Sequence, residues 1–290
     1  MAEEAWSRWG AEDERGALNL IGPDQVRAAA ALVVLGKAIG LAQPISGKMN
    51  VPPKRPGPQH FMTRDGGDYA SGQRRPGGFQ FAEDVVTLPL HLGTHMDCLC
   101  HAWYGDKLYN GHAGSSIASN GARRCGAHTI GTIVTRGVLL DFVALEGRPL
   151  ADGEAIGADM LARAFAAAGT QACQGDAILL RTGWLEDRGQ TDAADFNAEP
   201  GLDIEAALIL ADADVSIVGA DNYAVEVLPF PSGEIFPVHQ RLIRDYGIFL
   251  LEGLVLAPLA SEGAKTFLFM AAPLPIVGAT GSPLQPVAVL

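Results

Sequence analysis

The chain has no apolar run approaching the roughly 20 residues that cross a bilayer. Its longest candidate, 248–260, is broken by Glu252, so a membrane is not an expected partner. Positive charge is also scarce: 21 Lys and Arg against 33 Asp and Glu leave a net charge of −12. With no basic stripe to offset phosphate repulsion, nucleic acid is not an expected partner either. The first twenty residues hold five acidic side chains and no apolar core, unlike a secretory signal. There are only four cysteines. Cys125 and Cys173 show no pairing pattern, and a disulfide is not expected in a chain read as cytoplasmic. No Gly-x-Ser-x-Gly elbow occurs, and Gly278-Ala279-Thr280-Gly281 lacks the spacing and context of a dinucleotide fingerprint. No internal repeat or low-complexity block is visible.

What the chain does have is apolar mass. A hydrophobic content of 48% with 19% charged residues indicates a filled globular core. From about residue 130 onward, strand-like and helix-like segments alternate. Strands are expected at 130–135, 137–140, 177–181, 215–219 and 248–251, and helices at 158–168, 204–211 and 236–246. An earlier helix, 23–35, opens on Pro23, and the tail at 271–290 reads as strand and turn. Such alternation with short apolar strands predicts a layered α/β core. Residues 51–80, rich in Gly, Pro and Arg, read as one long loop. A loop that long is usually functional or mobile, and it precedes the stretch described next. His60, Phe61 and Met62 are therefore expected to line a substrate pocket, with packing against a neighbouring subunit as the alternative.

The chemistry concentrates in His91-Leu-Gly-Thr-His95-Met-Asp97-Cys-Leu-Cys-His101, which follows the strand-like 85–90. Three of the chain's seven histidines lie in this run. The four polar positions are all odd, so an extended chain points them to one face. A straight strand would still hold His91 and His95 about 13 Å apart at roughly 3.3 Å per residue. The run must fold back, and Gly93 is the candidate hinge. Imidazole and carboxylate donors suit Zn²⁺, and also Mn²⁺ or Fe²⁺. Downstream, His239 and Glu252 are candidate partners. Cys98 and Cys100 fall on the opposite face of an extended run and read as small buried thiols rather than ligands.

The run resembles the HxGTHxDxxxH signature of the metal-dependent cyclase family, which includes bacterial kynurenine formamidases and isatin hydrolases. Similar segments include Trp9-Gly10 with Asp13–Asn19, Tyr109-Asn110-Gly111, Leu180–Trp184, Gly219–Asn222, Val238-His239-Gln240 and Gly278–Pro283. The resemblance covers nearly the whole chain. It implies one domain spanning 1–290, with a swivelling β/β/α-type α/β fold, a mixed sheet core and flanking helices. It also implies a homodimer or homotetramer. His91, His95 and Asp97 would hold the metal, and His101 would transfer protons. In binuclear members a distal His and Glu complete the site, places taken here by His239 and Glu252, so one or two ions per chain are expected. Two departures stand out: Cys98-Leu99-Cys100 after the Asp, and a chain longer than a compact formamidase.

A divalent ion so held acidifies water and polarises a carbonyl. The expected activity is hydrolysis of an amide-type C–N bond in a small molecule, either a cyclic amide or imide or an N-formyl aryl amine. Lactone opening would use the same residues. A non-catalytic metal-binding homologue and an Fe²⁺ oxidoreductase are the other classes. The lesser features have readings of their own. Arg181–Trp184 reads as a structural turn or as polar groups near the site. Asp221-Asn222 reads as a turn or a support for a ligand histidine, and Trp6 and Trp9 read as core packing, with reach into a partner's pocket as the alternative.

Overall fold

Short runs that are apolar at nearly every position set the centre of the molecule. Ala177–Arg181, Ile217–Ala220 and Phe249–Glu252 are buried almost residue by residue, the pattern of strands covered on both faces. In the computed structural model, which describes residues 6–191, 194–231 and 233–290, they lie side by side and parallel. Ile217 stands opposite both Ala177 and Phe249. They form the middle of a nine-stranded mixed sheet. Its order is Ala38–Gly40, Val287–Val289, Thr266–Ala271, Ile133–Asp141, Ala177–Arg181, Ile217–Ala220, Phe249–Glu252, His95–Asp97 and Gly281–Pro283. This is the α/β architecture expected, a mixed sheet with flanking helices.

The flanking helices begin and end where their sequence directs. Ile204–Asp212 starts at Asp203, whose carboxylate accepts the Ala206 N–H, an ordinary N-cap. Ala158–Ala168 ends at Gly169 in the left-handed conformation, which glycine adopts without steric cost. One face of each is buried, through Leu161 and Ala164 in the first and Ala206, Ala207 and Leu210 in the second.

Several expected boundaries differ, each for a local reason. The first helix is Pro23–Ala30, not 23–35. The N–H groups of Leu35 and Lys37 bond instead to the Leu290 carbonyl, drawing this stretch toward the sheet edge. The two strands expected at 130–140 are one, Ile133–Asp141. The helix expected at 236–246 is an α turn, Pro237–His239, continuing as a wider π turn, Gln240–Asp245. The segment 51–80 is not all loop. Gln59–Arg64 pairs antiparallel with Glu83–Thr87 as a hairpin, with a helical turn at Gly66–Ala70 between them. Neither strand buries a face, so no alternation of apolar and polar residues marks them.

Gly137 shows how tightly the sheet is packed. It pairs with Phe267, and a Cβ there would overlap the Phe267 ring. Gly137→Val is expected to cost about 1–3 kcal/mol through overpacking, read as a lower urea midpoint at unchanged slope. An unaltered midpoint would mean that the ring has room to move.

Candidate metal centre

The strand His95–Asp97 lies between two others. On one side it pairs antiparallel with Phe249–Glu252, placing His95 opposite Glu252. On the other it pairs with Gly281–Pro283, placing Asp97 opposite Gly281. Directly opposed residues have Cβ atoms about 4.5–5.5 Å apart, so register alone brings His95 and Glu252 together. The hinge lies where expected: Gly93 has φ +59°. The chain turns back there, and His91 Nδ1 lies 2.6 Å from Asp97 Oδ1. Beyond the strand a turn closed by the His101 N–H on the Cys98 carbonyl brings His101 Nε2 to 3.8 Å from Asp97 Oδ2. The His91 and His101 rings stack with centroids 4.0 Å apart.

Two imidazoles have their tautomers set by neighbours that can only accept. His95 Nδ1 donates to the Gly93 carbonyl at 2.9 Å, which leaves Nε2 with a free lone pair. His239 Nδ1 faces Glu226 Oε1 at 2.5 Å, and the backbone N–H groups of Val238 and His239 donate to the same carboxylate. His239 therefore also presents Nε2. The two Nε2 atoms approach Glu252 from either side, His95 at 3.1 Å and His239 at 3.2 Å, and both lie 3.6 Å from an Asp97 oxygen. His95 Nε2 and Asp97 Oδ2 are buried and satisfy no hydrogen-bond geometry among the described residues. Buried polar atoms left this way are rare and call for an explanation.

A cation supplies that explanation. His95, Asp97 and Glu252 offer donor atoms within 4.8 Å of one another, and so do His91, Asp97 and His101, with Asp97 common to both groups. Burial works against charge on His95, but the Glu252 and Asp97 carboxylates outweigh it and raise its pKa. Burial likewise opposes ionisation of Asp97, yet the surrounding imidazoles, His101 and His91 foremost, hold it well below the usual carboxylate range. The cluster thus favours positive charge at its centre. Imidazole nitrogen with carboxylate oxygen fits a divalent transition ion or zinc, and the residues present fit such a group.

This cluster forms one wall of a cavity of about 360 Å³, lined also by Pro52, Arg55, Phe196, Glu199, Tyr223 and Phe236. The loop before the histidine run does reach the cavity, but through Pro52 and Arg55, whose guanidinium donates to the His91 carbonyl at 2.6 Å. His60, Phe61 and Met62, expected to line the pocket, lie elsewhere. They are exposed on the hairpin, where His60 pairs with Asp84 at 2.7 Å. The cysteines behave as small core residues. Cys98 and Cys100 are buried and unpaired, with burial pushing the Cys98 thiol well up and Cys100 up to about 12. Asp221 accepts the N–H and hydroxyl of Thr182 and the N–H of Gly183. It ties a turn and reaches no ligand histidine. Arg181 is held by Asp141 and Glu186, the structural reading of that segment. Trp6 packs against the core and donates to the Arg244 carbonyl.

Sequence reasoning missed Glu226, Glu199, Tyr223 and Arg55. Glu226 sits in a stretch, Tyr223–Leu228, that is buried and without regular secondary structure, so no periodicity singled it out. A glutamate within an apolar run was the one available signal.

The cyclase family model matches residues 39–227, and the chain belongs to that family. It is similar to a solved cyclase of the same family at 36% identity, over 98% of this chain and 97% of that one, with a TM-score of 0.92. It is also similar to isatin hydrolase A from Ralstonia solanacearum, at 23% identity over 87% of this chain and 91% of that one, TM-score 0.63. A third likeness is to an isatin hydrolase bound to the product analogue thioisatinate, at 19% identity over 93% and 99%, TM-score 0.63. Among curated proteins none matches.

Because Glu226 fixes the His239 tautomer, Glu226→Gln is expected to weaken divalent-ion binding by about 10- to 100-fold. Calorimetric titration of the metal-stripped protein with Zn²⁺ would measure it. Wild-type affinity in the variant would detach Glu226 from the site.

Proposed function

We propose that the chain is a metal-dependent hydrolase acting on an amide-type C–N bond in a cyclic amide or imide, or in an N-formyl aryl amine. The observation that carries this reading is the convergence of His95, His239, Asp97 and Glu252 on a cavity wall beside a neutral histidine. Zn²⁺ or Mn²⁺ is the proposed ion. Asp97 borders His91 on one side and His95 on the other, which supports two ions per chain, with His91 serving beside Asp97 and His101 left free. When bound, such an ion supplies Lewis acidity at the carbonyl and lowers the pKa of water toward about 7.

The protein's own groups do the rest. Burial pushes His101 down to about 4, against the pull of Asp97, so its imidazole is neutral at pH 7 and free to accept a proton. It lines the cavity and keeps 29% of its side chain exposed, within reach of substrate and water. His101 takes the proton released by the attacking water and returns it to the leaving nitrogen as the C–N bond breaks. Phe196, Tyr223 and Phe236 offer aromatic faces to a flat substrate ring. The isatin hydrolases among the structural neighbours are named for a cyclic amide. Lactone opening is the second reading, since no group at the site distinguishes a leaving oxygen from a leaving nitrogen. Four unpaired cysteines fit the cytoplasmic location we propose, and no described helix is long and apolar enough to cross a membrane.

We also propose a homo-oligomer in which the hairpin packs on a second copy. It leaves Phe61, Met62, Phe79, Val85 and Val86 exposed, and an isolated two-stranded hairpin is marginal in water. Residues 46–87 hold six Lys and Arg against four Asp and Glu, in a chain of net charge −12. That makes an acidic body of the same chain a complementary surface.

His101→Ala is expected to lower kcat by about 10²–10⁴-fold with unchanged metal content by elemental analysis. Loss of one ion per chain would make His101 a ligand, and full activity would remove it from the scheme. Phe61→Asp combined with Val85→Asp is expected to convert the oligomer to a 30.4 kDa monomer by light scattering. A wild-type monomer would refute the oligomer reading.

A further inference from the structure

The hydrolytic scheme gives roles to the imidazoles, carboxylates and rings of the cavity but none to its one strong base. Among the described residues that line it, Arg55 alone is a lysine or arginine, in a wall shared with Glu199 and Glu252. Arginines elsewhere in the chain are commonly spent on carboxylates: Arg136 pairs with Asp176, and Arg181 with Asp141 and Glu186. Arg55 forms no ion pair among the described residues. Its Nη1 donates to the His91 carbonyl at 2.6 Å, and the guanidinium lies over the Tyr223 ring, 5.8 Å from the centroid.

The group is placed by its backbone as well as by these contacts. Pro52, Pro53 and Pro56 surround it in sequence, each with a fixed φ. The Arg55 N–H donates to the Pro52 carbonyl at 3.1 Å, closing a turn whose third residue, Lys54, has φ +72°, as a type II turn requires. Upstream, the Asn50 side chain donates to the Gly189 and Thr191 carbonyls. The strap from 50 to 55 is therefore pinned at one end to 189–191 and at the other to the histidine run. With Nη1 held by His91, the Nε and Nη2 edge keeps two parallel N–H groups that meet no acceptor among the described residues. Two parallel donors match the paired oxygens of a carboxylate, and a neutral carbonyl would use only one of them. The Tyr223 ring beneath the guanidinium also lies 5.8 Å from the His95 ring, so one aromatic side chain borders both the fork and the ligand cluster.

We propose that Arg55 is a specificity-determining residue whose free guanidinium edge takes a carboxylate that the substrate carries away from its scissile bond. The site then selects anionic amides over neutral ones. The inference rests on the amide-hydrolase reading and deepens it. An anionic group placed beside Glu199 or Glu252 would meet a carboxylate, whereas at Arg55 it meets positive charge and two N–H donors together. A cavity of about 360 Å³ is at the small end of ligand pockets, which restricts the substrate to about one ring with its substituents. Such a ring, lying along Tyr223, would present its amide to the cluster and its carboxylate to Arg55.

The test uses the full chain loaded with Zn²⁺ and the 2-, 3- and 4-formamidobenzoates, each beside its methyl ester as a neutral twin. The quantity read is the ratio of kcat/KM for an acid to that for its ester within one protein, so that any general loss of activity in a variant cancels. In the wild type at least one isomer is expected to exceed its ester by about 10- to 100-fold, mainly through KM. Arg55→Met is expected to bring that ratio to about one, and Arg55→Gln takes its place should the Met variant fail to fold. A wild-type ratio near or below one for all three isomers would overturn the assignment. So would a preference for the acid that survives in the Arg55 variant. Turnover of the esters without any of the acids would overturn this inference and leave the amide reading standing. Turnover of no amide at all would end both.

Discussion

Two buried carboxylates, Asp97 and Glu252, sit together without a lysine or arginine to balance them. Among the described residues every ion pair they make is to a histidine. Burying two negative charges in a low-dielectric interior is costly unless positive charge is supplied. In this site imidazoles surround the pair, and two of them direct Nε2 inward. The arrangement favours positive charge at its centre. Much of the surrounding structure can be understood as holding that arrangement in place.

The sheet does this through register. The parallel strands Ala177–Arg181, Ile217–Ala220 and Phe249–Glu252 are hydrophobic enough to be buried on both faces, and Glu252 is the last residue of its strand. The antiparallel strand His95–Asp97 pairs beside it. A shift of one residue in that pairing would turn His95 and Asp97 to the other face, so hydrophobic packing and ligand geometry are set by the same contacts. Gly281 closes the other flank. A Cβ there would meet the His91 ring at 2.5 Å, which explains why the residue opposite Asp97 is a glycine.

The cluster was legible in the sequence because its chemistry is dense and local. Four polar residues at odd positions, with a glycine able to reverse the chain, already implied convergence. His239 and Glu252 could be tied to them only through a family resemblance, since strand pairing across some 150 positions leaves no local trace. The central strands were legible for a different reason: they are continuously apolar and short. The hairpin was not legible, because with neither face buried it carries no periodic pattern. The same cause misplaced His60, Phe61 and Met62, which are exposed on the hairpin while Pro52 and Arg55 line the cavity. Glu199 and Glu226 were missed because both lie in buried, irregular chain, where their meaning depends on neighbours that only the fold supplies.

Those two glutamates show how one residue type acquires different surroundings within a short stretch of fold. Glu226 accepts from the Val238 N–H, the His239 N–H and the His239 ring, so both of its oxygens are spent on holding a ligand histidine. Glu199 Oε2 accepts the Tyr223 N–H, and its Oε1 has no hydrogen-bond partner among the described residues. A carboxyl with a full set of donors is a structural anchor for the metal side of the cavity. One left short of donors, on a residue that lines the cavity, keeps an oxygen without a partner. The difference comes from the His239 ring, which faces Glu226 and leaves Glu199 alone.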